Sequence, residues 1–393
     1  MKNSFDNGTL TLYPEGSIDT TNVAAVEEDM NAVIGQHQPT SLILNLKQLS
    51  YISSAGLRVV LKLRRRFGAN IRAVEASPQV YEIFDITGFT EMLPVDKAYR
   101  ELDVTGCEVI GEGANGKVYR IGTDTIVKVY KDADSLDEIK RERELARTAF
   151  VLGIPTAIPY DVVRVGDTYG SVFELLSAKS FAELLAEDES RVEFIAERTA
   201  SIAKIIHSTI APANLPSQQE TVLSWVDIVE PYFTEEQYRK FRSMVEQLPE
   251  DGTMLHGDFH IKNIMQQGDD TLLIDMDTLC VGHPLYELAF MYNAYVGFGV
   301  VDRHVIENFL GVSADTARAL WRRTLSLYLG TEDTARLDEV EDKAAIIGLL
   351  RVMRRCMRIG EDKTEEGRKL VAACHDRIAD LLSRYDTLTF EER

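Results

Sequence analysis

The chain has 393 residues, 45% hydrophobic and 27% charged, which is enough apolar material for two or three domains with buried cores. Its formal net charge is −20, spread unevenly: residues 1–100 hold 10 Lys/Arg against 11 Asp/Glu, and the rest hold 33 against 52. So acidic a surface argues against nucleic acid or an anionic membrane as partner; it suits a cationic substrate, or solubility alone.

In chain order, Thr9–Tyr13 alternates like a strand, and Asn22–Ile34 has helical spacing with Asn22 or Thr21 as its cap. Ser41–Leu46 reads as a strand, Ser54–Phe67 as a helix opening at a Ser-Ser turn, and Asn70–Val74 as another short strand. Ser77 caps and Pro78 opens a helix that runs to about Ile86 and stops near Gly88. Such alternation predicts a mainly parallel or mixed sheet with helical cover. A second unit starts near Gly106. Glu108–Arg120 and Asp124–Tyr130 read as strands joined by glycine-rich turns, Asp137–Leu152 as a charged amphipathic helix, and Tyr169–Leu176 as a strand. Beyond Ser180 the pattern is helical, apart from strand-like runs at Met265 and Leu272–Ile274. The predicted domains are 1–100 and 106–393, joined by a short stretch that is not Gly/Ser-rich. No apolar run is long enough to cross a bilayer, and no signal pattern opens the chain. Cys107, Cys280, Cys356 and Cys374 lie far apart without metal or redox spacing. Reduced thiols in a cytoplasmic protein are the expectation.

The chemistry concentrates at Leu255-His256-Gly257-Asp258-Phe259-His260-Ile261-Lys262-Asn263 and, 12 residues past the Asn, at Asp275 in an apolar run. A phosphoryl-transfer site needs that spacing: one carboxylate for the attacking hydroxyl, and an amide oxygen and a second carboxylate for Mg²⁺ on the ATP phosphates. Asp258 is the candidate base or orienting group; Asn263 and Asp275 are the candidate metal ligands. His256 and His260 read as braces for the loop, and Asp277 as a lower-ranked metal ligand or a structural acid. Upstream, Gly111, Gly113, Gly116 and Val118 fit G-x-G-x-x-G-x-V, a turn whose amides can approach phosphates closely. Lys128 interrupts the apolar strand Ile126–Val129; so placed it is either paired and phosphate-contacting or on a solvent face, and the motifs around it favour function. Glu142 in the following helix is its expected carboxylate partner, with Glu144 as runner-up.

These residues resemble the protein-kinase-like fold, and within it the aminoglycoside phosphotransferase and choline kinase group, over about residues 106–300. The resemblance implies a bilobal α+β domain with a β-rich N-lobe (about 106–176) and a helical C-lobe (about 177–393). Phe173–Leu176 would be its hinge, with Glu174 and Leu176 holding adenine. Gly257 and His260 stand where protein kinases commonly have Arg and Lys, Ile-Asp-Met-Asp replaces Asp-Phe-Gly, and Glu287 stands where this group more often has Asp. The first hundred residues resemble a STAS domain, the α/β fold of anti-sigma factor antagonists, on Leu44-Asn45-Leu46 and Leu49–Arg58. By that resemblance Ser54 is the serine a partner kinase phosphorylates to block docking of an anti-sigma factor; the alternative is that Ser53 or Ser54 only caps its helix. The expected function is ATP- and Mg²⁺-dependent transfer of the γ-phosphate to a hydroxyl of a small molecule, with the STAS module for regulation or docking. A protein-serine kinase acting on a STAS serine and a nucleotide-sensing scaffold are the alternatives.

Overall fold

The computed structural model of the chain describes residues 1–112, 116–132, 135–157, 159–176, 178–250 and 252–390. Contacts divide it into two compact units, Met1–Gly106 with Val162–Gly170, and Cys107–Asp161 with Ser171–Arg393.

The first unit runs β1 (Lys2–Asp6), β2 (Thr9–Tyr13), β3 (Gly16–Ile18), α1 (Val23–His37), β4 (Ser41–Asn45), β5 (Leu49–Ile52), α2 (Ser54–Phe67), β6 (Ile71–Ala76), α3 (Pro78–Ile86), α4 (Phe89–Met92), β7 (Val95–Lys97) and β8 (Arg100–Glu101). Its main sheet has the order β1-β2-β4-β6-β7; only the β1–β2 pair is antiparallel. Alternation places Leu10, Leu12, Leu42 and Leu44 inward, all essentially buried, in one core with Leu57, Val60 and Leu63 of α2. The Ser77 side chain accepts from Val80 N, with Pro78 in the first turn, as the sequence predicts. Asn22 occupies the cap position of α1 but does not cap it: its Oδ1 accepts from Asp19 N and its Nδ2 donates to Ser17 O. Strands β1, β3 and β5 escaped the sequence reading. All five residues of β1 are exposed, so no period marks it, and the other two are short. Val163 faces Arg100 of β8 in parallel register, and contacts group the segment 162–170 with this unit.

The second unit continues with β9 (Glu108–Glu112), β10 (Gly116–Arg120), β11 (Thr125–Tyr130), α5 (Leu136–Val151), β12 (Asp161–Val165) and β13 (Thr168–Glu174). Strands β9, β10 and β11 form an antiparallel meander. Its helical part holds β14 (Lys179–Ser180), α6 (Phe181–Glu187), α7 (Val192–His207), α8 (Gln218–Val229), α9 (Glu235–Glu246), β15 (Met254–Leu255), the hairpin β16 (Ile264–Gln267) and β17 (Asp270–Leu273), β18 (Cys280–Val281), α10 (Pro284–Tyr295), α11 (His304–Leu310), α12 (Ala314–Leu329), α13 (Thr334–Arg358) and α14 (Glu365–Arg384). Every residue of α10 is buried, as expected for a helix apolar on all sides. It packs on α13 where Gly348 allows the approach: a Cβ there would lie 2.8 Å from Ala289 O. This helical core fixes the loop between β15 and β16, where the chemistry-bearing residues cluster.

Candidate active site

Lys128 lies in mid-strand on β11, opposite Val118 of β10. Its Nζ is 3.0 Å from Glu142 Oε1 on α5 and 3.2 Å from Asp275 Oδ1. Glu142 is only 5% exposed, and the Tyr130 hydroxyl donates to its second oxygen. Burial alone would lower the Lys128 pKa, but the charges of Asp275 and Glu142 outweigh it and hold the ammonium above its usual range. Burial and the neighbouring Glu142 carboxylate push Tyr130 up as well. Glu138 and Glu144 are exposed, so of the three glutamates weighed from sequence the fold brings Glu142 to the lysine.

Gly113 lies outside the described residues. Gly116 has a packing reason of its own: a Cβ there would meet Val129 O at 2.2 Å. A Cβ on Gly111 would make only ordinary contact with Val118, 3.7 Å away, so packing does not demand a glycine at that position. At the end of β13 Glu174 is exposed and Leu176 half-buried, and the Leu175 N–H between them donates to Asp124 O (2.8 Å).

The loop after β15 is held from below by Glu287 of α10. This carboxylate is fully buried and accepts from His256 N (2.6 Å) and Gly257 N (3.0 Å). Asp258 N donates to His256 Nδ1 and His256 Nε2 lies 3.1 Å from Ile274 O, so His256 braces the loop through both ring nitrogens. Gly257 has φ +83°, and a Cβ on it would fall 2.3 Å from Thr278 O. Arginine, common there in protein kinases by the resemblance above, does not fit this backbone. Asp258 meets His260 Nε2 through Oδ2 (3.4 Å) and Arg351 Nη2 through Oδ1 (3.2 Å). Burial would raise its pKa, but His260, Arg351 and His256 together hold it well below the usual carboxylate range. Asn263 donates from Nδ2 to Asp258 O (2.9 Å), so Oδ1 is the end left over for another partner. Ile274 N bonds Asn263 O, which brings the Asn263 and Asp275 backbones alongside each other. Asp275 is one of few non-glycine residues at positive φ, +65°, a conformation that costs about 1–2 kcal/mol and is commonest where function demands it. Burial, then the charge of Asp275, pushes Asp277 up to about 7, so two acids crowd one place.

The fold thus gathers Lys128, Glu142 and Asp275 in one place, and Asp258, Asn263 and His260 in one loop. Sequence reasoning missed Arg351, which lies 93 residues past Asp258. Its one signal was a cation directly after an apolar run, here Ile346–Leu350. In the first unit, Ser53 accepts from Gly56 N (3.3 Å) and so caps α2, while Ser54, the first helical residue, is exposed.

Two family profiles match this chain: the phosphotransferase enzyme family over residues 106–325 and the STAS domain over residues 2–103. A putative anti-sigma factor antagonist, BtrV, of Bordetella bronchiseptica is 35% identical over 100 residues, covering 24% of this chain and 85% of that protein. Among solved structures, a choline/ethanolamine kinase family protein from Mesorhizobium loti is similar at TM-score 0.47 and 15% identity, over 70% of this chain and 87% of that one. ADP-bound aminoglycoside phosphotransferase APH(2'')-Ib is similar at TM-score 0.48 and 16% identity, over 77% and 98%.

Proposed function

Because the chain belongs to the phosphotransferase enzyme family, we propose that it transfers the γ-phosphoryl group of ATP to a hydroxyl of a small molecule, with its STAS domain for regulation or docking. The observation that carries this reading is the double pairing of Lys128, with Glu142 and with Asp275, residues distant in sequence. A lysine so braced is a fixed positive point for phosphate oxygens. Asp258, kept ionised by its neighbours, orients the acceptor hydroxyl and receives its proton as the new P–O bond forms and the bond from the γ-phosphorus to the ADP oxygen breaks, releasing ADP. The glycine turn would lie along the phosphates, and Glu174 and Leu176 would present backbone to adenine. Asn263 Oδ1 and Asp275 fit Mg²⁺, a hard ion that takes one or two protein oxygens and fills its other positions with phosphate and water. The crowding of Asp277 and Asp275 is the repulsion that a divalent ion relieves. When bound, Mg²⁺ would neutralise charge developing on the phosphates.

Ser54 supports a second reading, of a protein kinase acting on a STAS serine: its hydroxyl is exposed while Ser53 does the capping. A phosphate there would add charge to a surface that an anti-sigma factor would contact. One experiment separates the two, tracing γ-labelled ATP into small molecules and into the protein. Asp258→Asn should lower turnover by about 10²- to 10⁴-fold while leaving MgATP binding and melting temperature close to those of the parent. Turnover undiminished in that variant overturns the assignment, and label mapped to Ser54 moves the second reading to first place.

A further inference from the structure

The last two turns of α13 carry Arg351, Arg354, Arg355 and Arg358. Elsewhere on α12 and α13 arginines meet carboxylates: Arg318 and Arg322 pair with Glu341, Arg323 with Glu193 and Glu332, and Arg336 with Glu339. In these last turns only Arg351 has such a partner, and it is Asp258. Among the described residues no carboxylate lies within ion-pair reach of Arg354, Arg355 or Arg358. This is a chain with 20 surplus negative charges, so the lack of acids is local and not a shortage.

Positions 351, 354 and 358 share one helix face. The Arg351 guanidinium lies 4.2 Å from the Phe290 ring centroid and that of Arg354 5.3 Å from the Trp225 centroid, and the two rings are themselves 6.0 Å apart. Both rings are buried, so α8 and α10 supply an aromatic shelf on which two cations lie, the first of them paired with Asp258. Arg354 is half-buried; burial, then the like charges of Arg358 and Arg351, hold its pKa below the usual arginine value. The negative end of the helix accounts for Arg355 and Arg358 in the last turn. It does not account for a half-buried Arg354 beside two other cations. A guanidinium on an aromatic shelf with no acid to meet it is, however, a ready partner for a carboxylate or phosphate from outside.

We propose that Arg354 and Arg358, with Arg351, bind a negative group of the acceptor, so that the substrate is a small anionic alcohol whose hydroxyl meets Asp258. The proposal rests on the phosphotransferase reading and replaces the cationic substrate that overall charge suggests. At 1.5 Å rise per residue, Arg354 stands about 4–5 Å and Arg358 about 10 Å along the helix from Arg351. That suits a phosphate or carboxylate a few bonds from the reacting hydroxyl.

The test uses the full chain and calorimetry. MgADP is titrated first, and the protein saturated with it is then titrated with glycerol 3-phosphate, glycerate, glycerol and choline. Tight MgADP binding upholds the phosphotransferase reading, and its absence overturns that reading and the acceptor proposal with it. Given MgADP binding, the two anions should bind at least tenfold more tightly than glycerol and choline, and Arg354→Glu should abolish the difference. Arg358→Glu, at an exposed position, should weaken the anions about threefold to tenfold without endangering the fold. Choline bound as well as the anions, or anion binding indifferent to both substitutions, overturns the anionic acceptor and leaves the phosphotransferase reading standing.

Discussion

Gly257 stands next to the reactive carboxylate in a conformation that L-residues avoid, with a carbonyl where a side chain would begin. Gly257→Ala should therefore lose about 2–3 kcal/mol or more from the backbone penalty and the collision with Thr278 O together. The measurement is the urea midpoint, with the slope checked for constancy. An unshifted midpoint would mean that the loop gives way without cost. At this scale the sequence was legible where residues stand at fixed short spacings. His256, Asp258 and Asn263 declare themselves within eight positions, and the fold holds them in one loop. Arg351 and Glu287 were not legible as partners of that loop, because nothing in the chain says which distant helix turns toward it. A buried carboxylate holding two amides leaves no local pattern, only an acid in an apolar helix.

At the scale of elements, capping decides how the two serines of α2 differ. Ser53→Ala removes the acceptor for Gly56 N and should cost about 1 kcal/mol in thermal or urea unfolding. Ser54→Ala should leave stability within about 0.5 kcal/mol, since that side chain is exposed. Equal losses at both would make Ser54 part of the cap and weaken its candidacy as a modification site. Elements with a period or a cap were readable: β2 and β4 through alternation, α3 through Ser77-Pro78, and α2 over its whole length. At α1 the cap position was read correctly at Asn22, but its side chain makes no cap bond, because asparagine has two ends and here uses both upstream, on Asp19 N and Ser17 O. The glycine turn was readable as a pattern, yet Gly116 has a purely steric reason to be there, and a pattern alone does not separate the two causes.

For the molecule as a whole, the first unit is made of two pieces of chain, because β8 takes its parallel partner from residues 163–164. A fragment comprising residues 107–393 lacks that partner. It should be cleaved by dilute protease within 162–170 before any other site, at a dilution that spares the full chain there. Equal resistance in both would show that the segment needs nothing from residues 1–106. The sequence could not reveal this division. Asp161–Val165 has two adjacent buried valines and no alternation, and β8 is two residues long.

The same division sets an order of events during synthesis. The strands β1 to β7 can pair soon after they leave the ribosome, since each lies close in sequence to a partner. Arg100 and Glu101 cannot, because Val163 and Arg164 are about sixty residues behind them. At ~5–20 residues per second the nascent chain carries an unpaired edge for several seconds. It is during that wait that a chaperone, or a neighbouring chain on the same message, could take the place kept for β12.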